Sequence, residues 1–122
     1  MIKEFISYQV KGRGRARTLG FPTINLEIPR DFDLKTGIYG VWIYLDGKKY
    51  LGAMQYGDSP TFDDKTKSLE VFLIDLKKDV VIDGKNIKVE VEKYIRQVKK
   101  FISKDRLIKQ IEEDVKEINK LT

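Results

Sequence analysis

Two Asp-Gly pairs, Asp46-Gly47 and Asp83-Gly84, do more than any other feature to limit how this chain can fold. Each separates two apolar runs. The first divides residues 37–45 from 49–55, and the second divides 79–82 from 86–94. A two-residue turn of type I′ needs positive φ at both positions, which Asp tolerates and Gly adopts freely, and its twist matches that of paired strands. Both pairs therefore predict tight antiparallel hairpins. In the last run Ile87, Val89 and Val91 alternate with Lys88, Glu90 and Glu92, so that strand has one dry face and one wet face.

The rest of the chain fits around these hairpins. Residues 1–10 read as a strand, with Ile2, Phe5, Ile6, Tyr8 and Val10 favouring extension. Residues 11–24 read as a loop passing into a short extended segment, and 29–36 as a connection. Residues 69–76 form the most apolar strand. The period then changes from two to 3.6. Ser103 is a helix N-cap with Asp105 in the first turn. Leu107, Ile108, Ile111, Val115, Ile118 and Leu121 recur on one helical face, and Glu112 and Lys116 are spaced to pair on the other. Five or six strands followed by one helix predict a mainly antiparallel barrel whose open side the helix covers. At 122 residues, with no internal repeat or linker, the chain reads as a single domain, 1–122.

Composition removes several chemistries. There is no cysteine, so disulfides and thiolate metal sites are excluded, and nothing argues for export. There is no histidine either, which excludes Ser-His-Asp triads, Cys-His pairs and His-ligated zinc. Proton transfer falls to a carboxylate, lysine, tyrosine or water. Apolar residues at 41% and charged residues at 35% suit a soluble globular protein. No apolar run approaches the roughly twenty residues of a membrane span, and the N-terminus lacks the pattern of a secretory signal. The expected location is the cytoplasm. A net charge of +5 suits either a nucleic-acid binder or an enzyme that receives a polyanionic nucleotide.

Two segments carry chemistry. Gly12-Arg-Gly-Arg-Ala-Arg-Thr-Leu-Gly-Phe-Pro-Thr-Ile-Asn25 joins a basic, glycine-rich run to Pro22-Thr23-Ile24-Asn25. Glycines bring backbone N–H groups close to phosphate, and arginines add charge. Thr23 and Asn25 alternate, so in an extended segment both oxygens share a face and can serve one hard cation. Phosphate and magnesium together suggest a magnesium nucleotide, although the run lacks the P-loop pattern. The same residues also suit a turn, a solvated edge or a nucleic-acid patch. The second segment is Leu69-Glu70-Val71-Phe72-Leu73-Ile74-Asp75-Leu76, in which Glu70 lies among apolar neighbours on both faces. Burial and a nearby cation tune such a carboxylate as a base, whereas at a strand end it simply reaches water or a lysine. Tyr39, Trp42, Tyr44, Tyr50 and Tyr56 read as packing residues.

Taken in order, these pieces resemble the riboflavin kinase family of the bacterial and eukaryotic type. The likeness rests on Thr18-Leu-Gly-Phe-Pro-Thr-Ile-Asn25, Gly57-Asp-Ser-Pro-Thr-Phe62, Leu69-Glu-Val-Phe-Leu-Ile-Asp75, Arg96 and Lys100-Phe101-x-Ser103, and it covers nearly the whole chain. It implies a six-stranded antiparallel Greek-key β-barrel with a C-terminal α-helix. It also implies transfer of the γ-phosphoryl of ATP to the ribityl 5′-hydroxyl of riboflavin, giving FMN. By matching position, Thr23 and Asn25 would ligand Mg2+ brought with ATP, and Glu70 would be the catalytic base. Gly12, Gly14, Arg17, Gly20 and Pro22 would serve the nucleotide and its phosphates, and Phe21, Arg96 and Phe101 the flavin.

Three positions depart from the family pattern. Ala16 replaces a usual glycine, Gln55-Tyr56 replaces Asn-Ile, and Val98 stands where a glutamate often follows the arginine. Relatives often add an FMN adenylyltransferase domain whose site uses histidines, so this chain is expected to make FMN and not FAD unless it is a piece of a longer protein. The expected partners are ATP and riboflavin, with no nucleic acid and no membrane, acting on a monomer. The competing readings are a catalytically weak flavin- or nucleotide-binding module on the same barrel, and a basic nucleic-acid-binding barrel.

Overall fold

Asp46 and Gly47 take φ values of 48° and 76°, the paired positive angles that the first hairpin requires. They join strand β3 (Gly37–Leu45) to β4 (Lys48–Asp58) in a computed structural model that describes residues 3–10, 23–58, 67–74, 86–99 and 101–121. The other elements are β1 (Glu4–Ser7), β2 (Thr23–Leu26), β5 (Lys67–Leu73), β6 (Ile87–Arg96) and helix α1 (Lys104–Asn119). The second Asp-Gly pair, at 83–84, lies outside the described residues.

The six strands pair antiparallel in the order β1-β6-β3-β4-β5-β2. Within it, β3, β4 and β5 follow one another and β6 returns beside β3, which is the Greek-key arrangement. The two outer strands then meet. Gln9 bridges Leu26, the Val10 N–H donates to the Asn25 carbonyl at 2.8 Å, and the Glu27 N–H donates to the Tyr8 carbonyl at 3.0 Å. The Ser7 hydroxyl donates to the Glu27 carbonyl at the same seam. The first strand region is thus divided: Glu4–Ser7 pairs with β6, and residues 8–10 swing across to β2. This curls the six-stranded sheet into the expected barrel-like shape and ties its outer strands together at the seam.

Strand β4 runs three residues beyond the expected Gln55, because β5 pairs with it as far as Asp58↔Lys67. A Lys67–Asp58 ion pair of 2.6 Å holds that end. Inside the barrel, Ile24, Leu26, Val41, Ile43, Met54, Leu69, Val71, Leu73, Ile87 and Val89 are buried in one cluster. Each such side chain contributes about 1.5–3 kcal/mol relative to exposure.

A second, smaller cluster lies on the outer face, where Ile118 of α1 packs on Leu51 and Ala53 of β4, flanked by Trp42, Phe72, Ile74, Ile95 and Leu121. Ser103 is the N-cap, its hydroxyl accepting the Arg106 N–H at 3.2 Å. Gly40 allows the helix to sit close, since a Cβ there would lie 2.8 Å from the Leu121 Cδ1. The expected Glu112–Lys116 pair does not form. Glu117 instead meets Lys120 at 2.9 Å and Lys93 of β6 at 3.7 Å, because docking turns its side of the helix toward the sheet.

Candidate functional site

Register places the candidate residues. In the β2–β5 ladder Asn25 lies opposite Glu70 and Thr23 opposite Phe72. In the β4–β5 ladder Gln55 lies opposite Glu70 on its other side. Ile24, Leu26, Leu69, Val71 and Leu73 point inward, so strand alternation turns Thr23, Asn25, Glu70 and Phe72 outward. Asn25, Glu70 and Gln55 therefore form a transverse row on the outer face. The row continues through Gln55↔Ile38 and Ile38↔Arg96 to β6. Directly opposed side chains have Cβ atoms about 4.5–5.5 Å apart, within reach of a polar contact.

Asn25, Glu70, Gln55 and Arg96 are all half-buried. The Oε1 of Glu70 is closed off from solvent, and Phe72 and Ile74 on the same face belong to the apolar patch under the helix. Glu70 is thus a carboxylate between two carboxamides, with an apolar surface beside it. Its position in the middle of the sheet removes the reading in which it reaches freely into water from a strand end.

Thr23 and Asn25 share the outer face, as strand alternation predicts. Among the described residues no group of three or more acidic or histidine side chains forms a metal centre. Two neutral oxygen donors beside one carboxylate fit a magnesium ion whose remaining ligands come from phosphates and water.

Arg96 is held by protein groups. Its Nε donates to Asp114 Oδ1 at 2.9 Å and its Nη2 to Asp114 Oδ2 at 2.7 Å. Its Nη1 donates to the Gln97 carbonyl at 2.8 Å, and its guanidinium carbon lies 5.9 Å from the centre of the Phe101 ring. Asp114 is 5% exposed and accepts a third bond from Gln110 Nε2 at 3.1 Å. The sequence reading missed Asp114. A signal was present, because an acid between Ile111 and Ile118 sits on the buried stripe of the helix.

Two of the departures from the family pattern border the row. Gln55 is a member of it, and Val98 covers Gly57, where a Cβ would lie 3.1 Å from Val98 Cγ2. Gly12, Gly14, Arg17, Gly20, Phe21 and Pro22 lie outside the described residues, as do Ala16, Lys100 and residues 59–62. The described residues on either side of 11–22 are Val10, which bonds Asn25, and Thr23, which begins β2, so both lie beside the row.

The chain matches the family model described as flavokinase, riboflavin kinase, over residues 4–122. It is similar to the RNA-binding riboflavin kinase RibR of Bacillus subtilis strain 168, at 36% identity over 107 residues, 87% of this chain and 45% of that protein. Among solved structures, a Streptococcus pneumoniae protein described as a macrolide-efflux protein superposes with a TM-score of 0.77 at 32% identity. The match covers 91% of this chain and 36% of that one. Riboflavin kinase from Trypanosoma brucei superposes with a TM-score of 0.65 at 21% identity, over 98% of this chain and 80% of that one, a likeness of fold. The chain spans less than half the length of the curated relatives it matches.

Proposed function

The chain belongs to the riboflavin kinase family, and from that premise we propose that it transfers the γ-phosphoryl of ATP to the 5′-hydroxyl of riboflavin, giving FMN and ADP. The observation that carries this reading is the register that sets Asn25 opposite Glu70 on one outer face. Phosphoryl transfer has a loose transition state, so most of the rate comes from positioning and charge neutralisation. The row supplies a base and the neighbours that hold it.

Glu70 accepts the proton of the attacking hydroxyl as the new oxygen–phosphorus bond forms and the bond from the γ-phosphorus to ADP breaks. Asn25 and Gln55, one on each side, restrict the directions open to its carboxylate, and the apolar patch around Phe72 limits competing water. Thr23 and Asn25 would hold magnesium, which neutralises phosphate charge when bound. Gly12, Gly14, Arg17, Gly20 and Pro22 serve the nucleotide, and Phe21 and Phe101 serve the flavin. Arg96 serves it from within the network around Asp114. ATP and riboflavin are the partners of a monomer acting in the cytoplasm.

The test is formation of FMN from riboflavin, ATP and magnesium, followed by chromatography. Product that appears only with all three supports the proposal, and absence of product under saturating substrates overturns it. One relative is named as RNA-binding. In this chain Arg17, within the basic run of residues 11–17, is assigned to nucleotide phosphates instead. RNA affinity that falls steeply with salt and competes with ATP would revise that assignment.

A further inference from the structure

The transverse row has two unlike ends. At one end are Thr23 and Asn25, the latter bonded by Val10, the last described residue before 11–22. At the other end is Arg96, with Glu70 between. In phosphoryl transfer the attacking and leaving oxygens lie roughly in line through the transferred group. If the nucleotide occupies the Thr23–Asn25 end, the acceptor approaches Glu70 from the Gln55–Arg96 side. The wall on that side is the connection from β6 to α1, whose Val98 lies over Gly57, two residues along β4 from Gln55.

One guanidinium gives that connection its course. Arg96 donates to the Gln97 carbonyl, faces the Phe101 ring and is gripped at two points by Asp114. Asp114 is in turn fixed by Gln110, one turn earlier on the helix. Arginine alone, with its planar fork, makes this set of contacts at once. We infer that Asp114 is a positioning residue for the acceptor side of the site: through Arg96 it holds Gln97, Val98 and Phe101 where they wall the approach to Glu70. It touches no reacting atom. The C-terminal helix is thereby part of the site's construction as well as a cover for the barrel.

The inference rests on the proposed function for the identity of the acceptor, and the experiment separates the two. Asp114→Asn keeps the shape and removes the charge, while Arg96→Lys keeps the charge and removes the two-point grip. Each variant is compared with the full-length wild type by hydrogen exchange without ligands, by quenching of riboflavin fluorescence, and by steady-state kinetics. Both variants are expected to exchange faster at residues 97–102, with β2 and β5 unchanged. Both should bind riboflavin about tenfold more weakly, with KM for ATP altered less than about twofold. The double variant should be little worse than either single one, as expected for residues that act as a unit.

If a folded Asp114→Asn variant keeps wild-type riboflavin affinity while the wild type makes FMN, the positioning role is wrong and the kinase reading stands. Equal weakening of ATP and riboflavin binding overturns the positioning role in the same way. A wild type that binds riboflavin without phosphorylating it, with both variants binding it more weakly, defeats the kinase reading and leaves the positioning role intact. Should Asp114→Asn fail to fold, Arg96→Lys carries the same outcomes.

Discussion

Asn25 and Glu70 face each other across the β2–β5 ladder, on the outer surface of the barrel. The residues next to them on both strands, Ile24, Leu26, Leu69 and Val71, are packed inside it. A slip of one residue in that ladder would turn Asn25 and Glu70 inward and expose the core. The same burial that stabilises the barrel therefore fixes the geometry of the site.

Glu70→Gln preserves the shape of the side chain and removes its basicity. The expected result is a fall in kcat of roughly 10²- to 10⁴-fold. Riboflavin binding, followed by fluorescence quenching, should stay near wild type. Turnover close to wild type would remove Glu70 from the role of base.

Asn25→Leu removes one of two neutral oxygens on the face that Glu70 shares. The magnesium needed for half-maximal FMN formation should rise by roughly tenfold, equivalent to about 1.4 kcal/mol. Thermal stability should change little, because Asn25 points away from the core. Titration of activity against magnesium at fixed ATP checks this, and an unshifted curve counts against Asn25 as a ligand.

Gly52→Ala tests the β4–β5 contact behind the row. A Cβ at Gly52 would lie 2.8 Å from Val71 Cγ1 and 3.1 Å from the Phe72 carbonyl oxygen, neither of which has room to move. Overpacking of this kind costs about 1–3 kcal/mol. Gly40→Ala should cost less, because its closest neighbour is the tip of Leu121, which can swing. Denaturant titrations of the two variants give the comparison, and equal losses would contradict it.

Tyr39 gives the fold an alkaline limit. Its hydroxyl donates to the Lys35 carbonyl at 2.6 Å, and burial, then the neighbouring Tyr94 and Tyr56, raise its pKa above the usual tyrosine value of 10.0. The unfolded chain loses this proton first. The contribution of Tyr39 is therefore complete below pH 10.0 and is lost as pH rises through the higher folded value. Tyr39→Phe should be less stable near neutrality by about 0.5–1.5 kcal/mol, the lost hydrogen bond. The gap should narrow above pH 10.0, as measured by urea unfolding across that range. A gap that widens there would refute the assignment.

Local patterns were readable in the chain, and long-range pairings were not. The Asp46-Gly47 turn, the Ser103 cap and the Ile111/Ile118 stripe each depend on neighbours a few residues away, and each formed as expected. That Thr23 and Asn25 share a face also followed from alternation. Their meeting with Glu70 did not, because it depends on which strands pair and in what register. Gln55 appeared in the sequence only as an oddity, and its place beside Glu70 came from the register in which β4 pairs with β5. Arg96 was legible as a site cation, but its grip by Asp114 of α1 was not. An acid on an apolar helical stripe signals a buried partner, but which cation fills that role depends on how the helix docks.

The seam at Gln9 and Leu26 has a further consequence. Val10 bonds the same short strand that begins at Thr23, so the two described residues flanking 11–22 lie at neighbouring points of the wall. Doubling the length of a flexible loop between such fixed ends costs only about 0.6 kcal/mol in closure entropy. The wall and the segment proposed to handle the nucleotide can therefore be inherited and exchanged separately. A lineage is free to rewrite the proposed phosphate grip while the barrel, and the Glu70 it presents, stay as they are.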